Sequence, residues 1–167
     1  MTVTDIVTQL QTNLEALDNG LPYLDVEIQS GNTLTTEEII LQNQSNPLPI
    51  HYLDKVWIGM PEKIPQGTQQ TAVIEVVSNP SFYYTTCSVP EKDTDIYITL
   101  FCKGTTETAN LAVYDLAEIV LTSLYADPKI SDTCIGSTVE EVIYGDMAGT
   151  TKKNLIAACR ITLRCRN

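Results

Sequence analysis

The order of patterned segments in this 167-residue chain predicts an α+β fold: a mainly antiparallel sheet, two helices packed on one face, and a closing C-terminal β-hairpin. Apolar residues recur at three- and four-residue steps near the start and again over 107–125, the period of a helix with one buried stripe. Residues 96–103 and 151–166 alternate apolar and polar at two-residue steps, the period of a strand. The sequence order helix, strands, helix, two strands suits helices gathered on one side of a sheet.

In the first helix Val3, Ile6, Val7, Leu10, Leu14 and Leu17 share a face, leaving Asp5, Gln9, Gln11 and Glu15 outward. Thr2 or Thr4 offers the N-cap oxygen and Gly20 the stop. Leu24, Val26 and Ile28 alternate with Asp25 and Glu27 as a half-exposed strand, 29–36 reads as turn and loop, and 37–41 as a short strand. Segment 42–70 carries Pro47, Pro49, Pro61 and Pro65 and a polar run, which predicts a long irregular loop region. Two apolar patches interrupt it, at 50–53 and 56–60, and the second holds the only tryptophan, Trp57. That side chain either covers the sheet or meets another protein.

Residues 72–77, 82–87 and 96–103 read as three consecutive antiparallel strands, separated by Ser78-Asn79-Pro80 and by a turn over 90–94. Gly104 ends the third, and Thr105 or Thr106 caps a helix over 107–125. Its stripe is Ala109, Ala112, Val113, Leu116, Ile119, Val120 and Leu124, widened by Leu111, Tyr114 and Leu121. Pro128 stops it. Strands over 139–144 and 151–166 close the chain around the glycines of 145–149, a hairpin turn. No internal repeat breaks this order, so 1–167 reads as one domain.

A net charge of −11 argues against tracking nucleic-acid phosphates or binding an anionic membrane surface, and no sequence-specific nucleic-acid binding is expected. The opening MTVTDIVTQL has neither a cationic start nor a long apolar run, so no targeting segment is expected. The five cysteines, Cys87, Cys102, Cys134, Cys159 and Cys165, include no Cys-x-x-Cys pair and read as buried free thiols. A catalytic constellation is missing from the pattern. His51 is the only histidine, adjacent acids at Glu37-Glu38 and Glu140-Glu141 point to opposite faces of a strand, and Asp93 and Asp95 read as turn residues. No phosphate loop, dinucleotide fingerprint or nucleophile elbow occurs. No catalytic residue, metal ligand or cofactor is expected, and the chain does not read as an enzyme.

The charge is unevenly placed. Residues 152–167 hold five of the ten basic residues and none of the twenty-one acidic ones. Leu155, Ala157, Cys159, Ile161, Leu163 and Cys165 take one face of this strand, and Arg160, Arg164 and Arg166 take the other. A basic strand on an acidic body lets copies attract head to tail, the geometry of rings and tubes; a solvated sheet face is the plainer alternative. The expected interface residues are Trp57, Lys152, Lys153, Arg160, Arg164 and Arg166.

The stretches TDIVTQLQTNLEAL, DIYITLFCKGTTETANLAVYDLAEIVLTSLY and VEEVIYGDMAGTTKKNLIAACRITLRCRN follow one another across nearly the whole chain. In that order they resemble the tail-terminator and neck proteins of tailed bacteriophages, although segment 42–70 is longer than the family's pattern. The resemblance implies a structural virion protein: a homo-oligomer, a hexameric ring on the last ring of the tail-tube protein. Such a ring halts tube growth and offers a surface to the head-completion or connector protein. A head-completion or other neck protein would share these features. From a different class, a monomeric acidic module that binds a peptide or protein remains the alternative.

Overall fold

The structure is a computed structural model and describes residues 2–17, 52–62, 69–77, 81–84, 90–104, 106–147 and 155–166. Contacts gather Met1–Glu15 and Leu53–Asn167 into one compact unit and Ala16–Tyr52 into another. The first unit carries α1 (Val3–Glu15), β1 (Lys55–Ile58), β2 (Gln70–Val76), β3 (Ser81–Tyr84), β4 (Pro90–Gly104), α2 (Thr106–Ala126), β5 (Gly136–Met147) and β6 (Leu155–Arg166). The strands expected at 24–28 and 37–41, the helix stop at Gly20, His51 and Cys87 lie outside the described residues.

Thr2 caps α1 through a reciprocal pair: the Asp5 N–H donates to Thr2 Oγ1 at 3.2 Å and the Thr2 N–H donates to Asp5 Oδ2 at 2.8 Å. The Thr2 N–H, and then the Thr2 hydroxyl, favour the charged carboxylate and hold Asp5 below its usual range. Ile6, Val7, Leu10 and Leu14 are buried as the period requires, but the helix ends at Glu15, short of Leu17.

The strands lie in the order β1-β2-β4-β6-β5, with β3 pairing β4 off this path. The β1–β2 pair is parallel and the other pairs are antiparallel. Four expectations need correction. Segment 42–70 is not wholly irregular, because β1 lies within it. The Asp54 N–H donates to the Gln70 carbonyl at 2.8 Å and Asp54 Oδ2 accepts the Gln70 N–H at 2.9 Å, which joins β1 to β2. Gly59, at φ 80°, then turns the chain out of β1, a conformation that favours glycine. Secondly, 90–94 is strand and not turn, so Asp93 and Asp95 sit in the ladder opposite Arg166 and Arg164. Thirdly, β2 and β3 do not pair with each other; both pair with β4, on successive stretches. Lastly, Gly145 to Met147 belong to β5, not to the turn.

Register assigns the two faces. Val56, Ala72, Ile74, Ile96, Ile98, Leu100, Ala157, Cys159, Ile161 and Leu163 share one face and are buried. Both helices contact this sheet, α1 through β1 and β2, α2 through β4 and β6. Ala109, Val113, Leu116, Ala117, Val120 and Leu124 form the buried side of α2; Ala112 and Ile119 of the expected stripe are half-buried, and Ala117 joins it instead. Burial also pushes the thiols of Cys102 and Cys165 up to about 12 and that of Cys159 to about 11. Cys102, Cys134, Cys159 and Cys165 are free and buried, as buried thiols should be.

Between α2 and β5 the chain takes three consecutive left-handed residues, Ile130 (φ 50°), Ser131 (φ 53°) and Asp132 (φ 62°). None is glycine. Asp127 Oδ2 accepts the Ser131 N–H at 2.6 Å, the Ile130 carbonyl accepts the Thr133 hydroxyl at 2.7 Å, and the Ile130 side chain is 1% exposed. The turn ends where the Ile135 N–H donates to the Arg166 carbonyl at 2.8 Å, which sets the start of β5 against the end of β6.

Candidate functional site

The expected interface arginines all stand on the sheet face opposite Ile98, Leu100 and Ile161, a face on which Val73, Thr99 and Phe101 are also buried, yet they differ in what they meet. Arg164 Nε donates to Asp95 Oδ1 at 2.9 Å and Arg164 Nη1 lies 3.4 Å from Glu140 Oε1. The hydrogen bond and charge of Asp95, then the charge of Glu140, raise the Arg164 pKa above its ordinary value. Arg166 Nε lies 3.5 Å from Asp93 Oδ1. These pairs are open to water, so screening leaves them little net stabilisation. Their effect is on the charge map. Two of the three β6 arginines are answered by acids of their own chain.

A bulge makes the second of these contacts possible. Pairing runs from Val139↔Leu163 to Glu141↔Thr162, so β5 spends an extra residue, Glu140, against β6. Adjacent acids on a regular strand would face opposite ways. Here Glu140 reaches Arg164 on the same side that Glu141 takes by its pairing with Thr162, which corrects the expectation for this Glu pair.

Arg160 is different. Its guanidinium carbon stands 5.0 Å from the Tyr97 ring centre, a cation–π contact, and it has no carboxylate partner among the described residues. It borders a depression of about 250 Å³ whose other walls include Met60, Phe101, Ile143, Gly145 and Ala158. A Cβ added at Gly145 would have nothing within 4 Å, so there is open space at that edge of the depression.

Trp57, half-buried, sits on the same sheet face by its pairing with Val73. Lys152 and Lys153 lie outside the described residues. The structure thus places Trp57, Arg160, Arg164 and Arg166 on one face of the sheet, but gives only Arg160 an apolar recess to border.

The outer side of α2 went unread in the sequence. Leu111 and Tyr114 look there like a widening of the buried stripe, but they are 57% and 45% exposed, and Tyr125 is 67% exposed. At 100° per residue they fall with Asp115 and Glu118 on the side opposite the buried stripe. Tyr114 also meets Tyr144 of β5 edge to face, with ring centres 4.9 Å apart. Burial, then Cys159, Glu118 and Tyr114, raise the Tyr144 pKa. The sequence signal was available: Leu111, Tyr114 and Tyr125 lie too far around the helix for one sheet to cover both them and Val120.

Among the described residues no three His, Cys, Asp or Glu side chains gather as a metal site, and no helix is long and apolar enough to cross a membrane. No protein-family model and no curated protein sequence matches the chain.

Proposed function

We propose that this chain is a structural subunit of a tailed-bacteriophage neck. In this reading it is a tail terminator that forms a hexameric ring, caps the tail-tube protein and joins it to the head-completion or connector protein. One observation carries the reading from surface chemistry. The subunit exposes two unlike patches, an apolar row with carboxylates on α2 and, on the opposite side of the sheet, a largely apolar recess bordered by Arg160. Exposed apolar groups of this kind mark contact surfaces. Unlike patches on opposite sides suit head-to-tail association, which closes into rings when the rotation allows. The element order, with its N-terminal helix, long second helix and C-terminal antiparallel pair, supports the same reading.

The test is native mass spectrometry with negative-stain microscopy of the purified protein, alone and with tail-tube protein. Six-fold rings are expected, alone or on tube ends. A monomer at every concentration, with no binding to tubes, would overturn the proposal and favour the monomeric binding module.

A further inference from the structure

We infer that the subunit contact is made by the outer side of α2 of one copy seated in the Arg160 recess of the next. This inference rests on the ring reading and names its surfaces. The occupant is argued from size, shape and charge. A recess of about 250 Å³ is smaller than the ~300–1,000 Å³ usual for small-molecule sites, and suits one or two inserted side chains. Its apolar walls, Met60, Phe101, Ile143 and Ala158, call for apolar side chains, and Ile143 is itself 48% exposed. Among the described residues its one charged wall residue is a cation, Arg160, which meets Tyr97 and no described carboxylate.

The outer side of α2 supplies the complement. Leu111, Tyr114 and Tyr125 stand out from the helix with Asp115 and Glu118 between them, and no Lys or Arg occurs anywhere in Thr106–Ala126. From residue 111 to residue 125 the row is about 21 Å long at 1.5 Å rise per residue, enough to overlie the recess and its rim together. A tyrosine or leucine entering the recess brings a carboxylate of the same helix side to the Arg160 guanidinium. Two acidic copies that would otherwise repel then meet through one local match of sign. Tyrosine and arginine are the residue types on which contact energy concentrates. The two patches lie on opposite sides of the sheet, so the contact cannot be its own mirror: each subunit uses its helix toward one neighbour and its recess toward the other.

Complementation of two single-face variants tests this. Gly145→Trp places a bulky side chain at the recess from a position where an added Cβ has no neighbour within 4 Å. Leu111→Lys with Tyr125→Lys spoils the helix side at two exposed positions. Each variant alone should stay monomeric under conditions where the wild type forms rings, with association weakened about thirtyfold or more. Mixed in equal amounts they should form heterodimers and stop there, because only one good helix side faces one good recess. Should Gly145→Trp fail to fold by circular dichroism, Arg160→Glu takes its place. Rings formed by either variant alone overturn this contact and leave the ring reading standing. Monomeric variants that do not combine overturn the head-to-tail assignment. A wild type that never assembles, with or without tube protein, overturns the ring reading and this contact with it.

Discussion

The left-handed turn at Ile130, Ser131 and Asp132 is a place where two exposed substitutions should move stability in opposite directions. A non-glycine residue in this conformation costs about 1–2 kcal/mol, because its Cβ crowds the following carbonyl. Asp132 is exposed at φ 62°, and Asp132→Gly removes that crowding. Glycine loses roughly 0.5–1 kcal/mol more chain entropy on folding, so the net gain should be about 0.5–1 kcal/mol. For a domain of this size that raises Tm by about 1–4 °C. Asp127→Ala should do the reverse. Its carboxylate accepts the Ser131 N–H at 2.6 Å and the Ser131 hydroxyl at 3.3 Å, bonds that hold the turn. The residue follows the last turn of α2, where the helix dipole disfavours an anion by about 0.3–1 kcal/mol. Offsetting that against a lost capping-type bond leaves a destabilisation of about 0.5–1.5 kcal/mol. Urea titrations of the two variants and the wild type, fitted with a common slope, read both signs. If Asp132→Gly destabilises by about 1 kcal/mol or more at unchanged slope, the crowding argument is wrong for this turn.

Two further outcomes follow from buried groups. The thiols of Cys102 and Cys165, at about 12, and Cys159, at about 11, lie above their ordinary 9.0, so the folded state holds protons that the unfolded state releases above about pH 9. Their contribution is intact below pH 9 and is lost as pH rises toward 11–12, at about 1.4 kcal/mol per pH unit for each thiol fully titrating in the unfolded chain. Urea midpoints at pH 7.5, 9 and 10 should be level and then fall, less steeply in Cys159→Ala; a fall of equal slope in that variant would refute the assignment to thiols. The hydroxyl of Thr94 is buried on the β4 core side with no hydrogen-bond partner among the described residues. Thr94→Val should stabilise by about 1 kcal/mol, read as a higher melting temperature, and a loss of stability would mean that the hydroxyl is satisfied.

Legibility tracked how local the determining physics was. The alternation of β6 and the stripe of α2 depend on each segment's own period, and the buried side of each was readable from it. β1 was not, because four residues between proline-rich stretches have no period to display; the Asp54 bonds to Gln70 and the parallel pairing with β2 make it a strand. Asp93 and Asp95 looked like turn chemistry because acids are rare in a central strand. The arginines that answer them come from β6, some seventy residues later, and no local pattern carries that pairing. The same long-range pairing is why charge asymmetry along the chain overstated charge asymmetry in space. Among the expected interface residues, Arg160 keeps its open position, while Arg164 and Arg166 are largely neutralised by their own subunit.

β6 lies between β4 and β5, although it follows both in the chain. A chain leaving the ribosome therefore displays a bare β4 edge and an unpaired β5 until residue 166 has emerged. Until then the widest part of the sheet cannot close, and each bare edge is a template for the wrong strand. When the strand arrives it zips into both neighbours at once, one ladder of twelve pairs with β4 and one of eleven with β5. Nascent copies made on one crowded message are thus most exposed to misassembly before they acquire the side of the sheet on which Arg160 stands, and completion of the monomer must precede any orderly joining of copies.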